Sequence, residues 1–95
     1  MKRIEVLNHL GYLEKDPRLN VWHFALLTAI ILLGVKQKQS RIITVSRGKL
    51  MALAHIQTLP TYHKYFKELQ EMGLIKYGPS YHPGCRSVVE LQFKM

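Results

Sequence analysis

A chain of 95 residues holds one hydrophobic core and one domain, and its 47% apolar content is that of an ordinary globular protein. Fourteen Lys and Arg against six Asp and Glu leave a formal charge of +8, which favours a polyanionic partner, nucleic acid first and an anionic surface second. The single cysteine, Cys85, excludes an intramolecular disulfide and suits a reducing, cytoplasmic setting. The most apolar run, residues 24–35, is too short to span a bilayer. It also lacks the position and cleavage site of a signal peptide. No membrane partner is expected.

In chain order, Ile4, Leu7, Leu10 and Leu13 are spaced by three and predict a short amphipathic helix over residues 2–13. Asp16-Pro17 breaks it. Asn20 is a good N-cap for a second helix over 21–36, which is apolar nearly all round. Such a helix must be covered on every side. Either its own chain wraps it, or it joins the N-terminal helix in packing against a second copy, which would make a homodimer. Residues 36–41 read as a polar loop, and the β-branched patch 42–45 as one edge strand.

Ser46 then caps a short helix over 47–54, with Leu50, Leu53 and Ala54 facing inward. Residues 55–57 form a turn. The next helix, 58–72, carries the densest signals in the chain. The Thr58 hydroxyl is expected to cap it, and Pro60 sits in the first turn, where a missing N–H costs nothing. Tyr62, Phe66 and Leu69 recur at i, i+4 and i+7, flanked by Tyr65 and Met72, so one face is apolar. Gly73 supplies the left-handed stop. Pro60, His63, Lys64, Lys67 and Glu71 project the other way, and the N-terminal half of that face holds His63, Lys64 and Lys67 without an acid. A helix with a basic, hydrogen-bonding N-terminal face suits the DNA major groove. Arg47 and Lys49, at the start of the preceding helix, are placed to meet phosphates if that helix crosses the backbone.

Two β-like runs follow, 74–77 and 87–93, the second alternating Val89, Leu91 and Phe93 with Val88, Glu90 and Gln92. Between them GPSYHPGCR reads as a hairpin loop longer than a tight turn. Its Tyr81, His82 and Arg86, with no acid beside them, suit a phosphate backbone or a minor groove.

The order of elements resembles the winged helix-turn-helix DNA-binding family. The residues that carry the likeness are SRGKLMALAHIQTLPTYHKYFKELQEMGLIKY and the following GPSYHPGCRSVVEL. FKELQEMGLIKY in particular is similar to the family's helix-to-wing junction. The likeness covers about residues 40–93, and the chain also looks like small regulators carried on mobile elements of gut-type Bacteroidetes bacteria. It implies an α+β, mainly α, fold in a single domain, 1–95, with N-terminal helices over 1–39 and the helix-turn-helix and wing over 40–95. It places a recognition helix at 58–72 and a wing at 78–86. DNA contacts would fall on Thr61, His63, Lys64 and Lys67, with Tyr81, His82 and Arg86 in the wing. The turn departs from the commonest pattern, since His55 stands where a Gly or Asn is often found. The expected function is sequence-specific binding of double-stranded DNA by a small transcriptional regulator. Its rivals are a winged-helix protein-interaction module and a replication-initiation accessory protein.

Catalytic and metal readings find little. The five histidines, His9, His23, His55, His63 and His82, show no paired ligand spacing, and His82 with Cys85 supplies only two ligands. No Gly-rich phosphate loop or G-x-S-x-G element exists, and Glu68 and Glu71 read as surface groups on a helix. No enzyme activity, cofactor or metal is expected.

Overall fold

The computed structural model describes residues 17, 19–39, 41–79 and 87–92. The helix expected over 2–13 lies outside the described residues, as do the loop residues Tyr81, His82, Cys85 and Arg86. The described part is α+β and mainly helical, with three helices and one three-stranded antiparallel sheet.

The first helix, α1 (Val21–Gln37), begins where Asn20 turns extended. The Asn20 Oδ1 accepts from the N–H groups of Trp22 at 2.9 Å and His23 at 3.2 Å. The Asn20 N–H in turn donates to His23 Nδ1 at 3.0 Å. This is a capping box with an imidazole in the role usually given to Glu or Gln. Because Nδ1 accepts, the ring proton sits on Nε2, which donates to Glu68 Oε1 at 2.7 Å. Glu68 is therefore a half-buried tie between helices and not the plain surface group its position suggested. The helix ends at Lys38 in the left-handed region, and the Gln39 N–H closes back on the Gly34 carbonyl at 2.8 Å.

That return is why residue 34 is glycine. A Cβ there would stand 2.7 Å from the Gln39 carbonyl oxygen and 2.9 Å from Ile43 Cδ1. Four residues after the helix the chain enters β1 (Ile42–Thr44). The Gln37 amide pairs with the outer edge of this strand, donating to the Thr44 carbonyl at 2.7 Å and accepting from the Thr44 N–H at 2.9 Å. A side chain thus occupies an edge that would otherwise be free to pair with another strand.

Ser46 is extended and its Oγ accepts from the Lys49 N–H at 3.2 Å, starting α2 (Arg47–Ala54). Leu50 and Ala54 are buried and Leu53 partly so. His55 ends α2 with φ 58°, so it takes the left-handed conformation commonly left to Gly or Asn, without their ease. Four residues separate α2 from α3 (Leu59–Glu71).

Thr58 is the N-cap residue of α3, but its hydroxyl does not cap the backbone. It donates instead to the Thr61 Oγ1 at 2.8 Å. Pro60 explains the difference: it occupies the second helical position and so removes one of the two N–H groups that a capping oxygen accepts from. Tyr62, Phe66 and Leu69 are buried, as the spacing predicts, and Gly73 has φ 74°.

The chain then forms β2 (Ile75–Gly78) and β3 (Val88–Leu91), close to the expected 74–77 and 87–93. The sheet order is β1-β3-β2, all antiparallel. Ile43 faces Val89, and Val89 faces Tyr77, so the apolar pattern of three short strands meets on one side. That side packs with α1, whose Leu26, Leu27, Ile30 and Ile31 are fully or almost fully buried, together with Leu50 and Leu69. The apolar helix is largely wrapped by its own chain, through contacts with α2, α3 and β1. Val21, Trp22, Leu32 and Val35 stay exposed on it. Among the described residues no helix is long and apolar enough to cross a membrane.

Gly34→Ala is expected to destabilise the fold by about 1–3 kcal/mol, because the added methyl meets backbone that the turn holds in place. Urea denaturation of the two proteins measures it, and equal midpoints would contradict the close approach.

Candidate functional site

The sequence singled out two sets of cations on separate helices, and the fold brings them to one side of the molecule. Arg47 and Lys49 stand exposed in the first turn of α2. His63, Lys64 and Lys67 stand exposed along α3. They are held there because Tyr62, Phe66 and Leu69 take the opposite face into the core, and an α-helix cannot present both faces inward.

Between α2 and α3 lies a cleft of about 1200 Å³. Among the described residues it is lined by residues 44–49, by Tyr62, His63, Phe66, Lys67 and Gln70 of α3, and by Gln37, Tyr77 and Ser87. Arg47, Lys49, His63 and Lys67 therefore share it, and no Asp or Glu is among these lining residues. Thr61 and Lys64 lie outside the cleft. Thr61 is partly buried, with its hydroxyl oxygen accepting from Thr58. The Lys64 Nζ lies 5.2 Å from the centre of the Tyr65 ring, a cation–π contact on the outer flank of α3. Lys67 reaches Glu71 at 3.8 Å, an exposed i,i+4 pair that leaves its charge available. Arg47, Lys49 and His63 have no acid within ion-pair distance among the described residues. The wing candidates Tyr81, His82 and Arg86 lie outside the described residues.

The cleft also contains groups that the sequence reading assigned to the core. Tyr62 is 5% exposed and belongs to the apolar stripe of α3, stacked on Phe66 with ring centres 5.2 Å apart. Its ring is ordinary core. Its hydroxyl is not, because it makes no hydrogen bond among the described residues, whereas the Tyr77 hydroxyl donates to Ser87 Oγ at 3.3 Å. Burial pushes the Tyr62 phenol up to about 12; nearby Tyr77 acts in the same direction, and Arg47 pulls the other way. The neutral phenol is therefore a fixed hydrogen-bond donor in a basic cleft. A tyrosine where Phe or Leu would satisfy the helical stripe was the one available sequence signal, since a buried Tyr hydroxyl usually finds a partner.

What this arrangement can do is bind an anion. It combines unpaired positive charge with a buried donor and an apolar floor. Among the described residues no three of His, Cys, Asp and Glu come together as metal ligands.

One of the five tyrosines should titrate late, with a midpoint near pH 12, and Tyr62→Phe should remove that step from an absorbance titration of the folded protein. The stabilisation tied to the neutral phenol is complete below the unfolded value of about 10 and is lost as pH rises through the folded value. Five tyrosines ionising together near pH 10 would contradict the burial of this hydroxyl.

No family model, no curated protein and no solved structure matches the chain.

Proposed function

We propose that this chain is a winged-helix domain that binds double-stranded DNA and serves as a small transcriptional regulator. The observation that carries the reading is the shared placement of Arg47, Lys49, His63 and Lys67 around one cleft with no acid among its described lining residues, on a domain of charge +8. The order of elements adds support: a helix-turn-helix from α2 and α3 runs into an antiparallel hairpin, and β1 joins that hairpin by pairing with β3. α3, with 13 residues and a length of about 20 Å, is of a size to lie in a major groove about 12 Å wide. In this reading His63, Lys64 and Thr61 meet base edges, Arg47 and Lys49 meet phosphates, and the wing over 78–86 follows the backbone. Regulation proceeds in the cytoplasm by occlusion or recruitment, without catalysis or cofactor.

A homodimer fits the same reading. Val21, Ala25, Thr28, Leu32 and Val35 recur at steps of four and three along α1, and all are exposed or half-buried. That spacing is the seam of paired helices. Two copies joined there would address two half-sites about one helical turn, or a multiple, apart. Sedimentation equilibrium at micromolar concentration should find a dimer, and Leu32→Lys should shift it to monomer. A strict monomer in the unaltered protein removes the dimer from the proposal.

Binding to duplex DNA should fall steeply with salt, because each phosphate contact releases about 0.9 counterion. Arg47→Ala should weaken all duplexes alike and lower the salt slope by about 1. Lys64→Ala should cost about 1–3 kcal/mol on a preferred duplex and relax discrimination there. Paired titrations of both variants against a selected duplex and a scrambled one measure the difference. Absence of duplex binding at low salt would favour the protein-interaction reading, with an acidic protein as the partner.

A further inference from the structure

Three separate features converge in the cleft between α2 and α3. The first is the Tyr62 hydroxyl, which has no hydrogen-bond partner among the described residues although the residue is only 5% exposed. Leaving a buried hydroxyl unpaired is costly, and replacing it by Phe would remove that cost at no loss of packing. Its place in the cleft wall points to a ligand that accepts from it.

The second feature is the start of α2. Ser46 Oγ takes the Lys49 N–H, and the Leu50 N–H is bonded to the Ser46 carbonyl. The N–H groups of Arg47 and Gly48 come earlier in the first turn and have no intrahelical acceptor. A Cβ placed on Gly48 would meet nothing within 4 Å, so this turn faces open space. The third feature is charge: Lys49 and Lys67 line the cleft from its two walls, and Arg47 lines it too, near enough to the Tyr62 phenol to act on it.

We propose that this cleft is a site for a phosphate group. The Tyr62 hydroxyl and the N–H groups of Arg47 and Gly48 donate to the phosphate oxygens, while Arg47, Lys49 and Lys67 balance the charge. The donors are neutral hydroxyl and amide groups that accept nothing from a phosphate monoester or diester, and they select for an anion rich in acceptors. A volume of about 1200 Å³ is far more than one phosphate needs, so the site also admits the group that carries it. That carrier is either a free phosphorylated small molecule or a strand of the duplex. The second case rests on the DNA-binding reading and the first does not.

The test uses the full chain and two probes, thymidine monophosphate, with thymidine as the control that lacks phosphate, and a short duplex. In amide-resolved NMR the nucleotide should shift Arg47 and Gly48, and thymidine should leave them in place. Tyr62→Phe should weaken the phosphate-bearing ligand about tenfold, the usual worth of one hydrogen bond to a charged group, while its urea midpoint stays equal or rises. Lys67→Ala, an exposed change that leaves the core intact, should weaken it severalfold and serves if the Phe variant folds poorly. Loss of nucleotide affinity in these variants supports the site whether or not the duplex binds. Loss confined to the duplex supports it with backbone phosphate as the ligand. Equal affinity of parent and both variants for both probes overturns it and leaves the DNA reading standing if the duplex still binds. Amide shifts that avoid residues 46–49 also overturn it, and failure of both probes to bind overturns site and DNA reading together.

Discussion

The structure depends on covering one very apolar helix with very little chain. α1 carries Leu26, Leu27, Ile30 and Ile31 into the centre, and their burial contributes on the order of 1.5–3 kcal/mol each against leaving them in water. A domain of this size has few elements to spend on that task, so α2, β1 and α3 all pack against the same helix. The close passage at Gly34 brings Gln39, and Ile43 of β1, tightly against the helix. The position of every other element follows from that arrangement.

It also sets the direction in which the cationic groups point. α3 reaches α1 through Tyr65, which stacks on Trp22 and meets His23 edge-on, and through the bond between His23 and Glu68. The imidazole is bound at both nitrogens, by the Asn20 N–H on one side and the Glu68 carboxylate on the other. A single side chain thus closes the start of α1 and fixes the rotation of α3 about its own axis. With that rotation set, His63, Lys64 and Lys67 lie on the exposed side of α3, and α2 brings Arg47 and Lys49 alongside His63 and Lys67. The cationic surface is a by-product of core packing in its geometry, although not in its choice of residues.

Tyr62 is where core and surface requirements meet. The ring stacks on Phe66 and lies edge-on to His63, so it belongs to the packing of α3. The hydroxyl belongs to the cleft, where burial and neighbouring Tyr77 keep it protonated. The rule that a buried polar group is hydrogen-bonded is broken at this atom among the described residues. Such a breach is characteristic of sites that serve a ligand and not the fold.

Much of the architecture can be read along the chain, because its signals are local. Asn20, Ser46 and Gly73 mark helix ends by backbone chemistry, and the spacing of Tyr62, Phe66 and Leu69 marks an inward face. The exposure of His63, Lys64 and Lys67 follows from the same spacing. Thr58 shows the limit of local reading, since Pro60 two positions later removes one of the two N–H groups a capping oxygen uses, and the hydroxyl turns to Thr61 instead. The bond from His23 to Glu68 spans 45 positions and left no periodic trace. The cleft depends on residues from α1, β1, α2, α3 and the β2–β3 pair, so no stretch of sequence contains it. The sequence by itself determined which of the described residues are helical, which face is apolar and that the domain is cationic, because propensity, period and charge are properties of neighbours along the chain. Tertiary structure alone decided that Arg47 and Lys67 share a cleft and that the Tyr62 hydroxyl is buried there without a partner among the described residues, because both depend on how distant segments pack around α1.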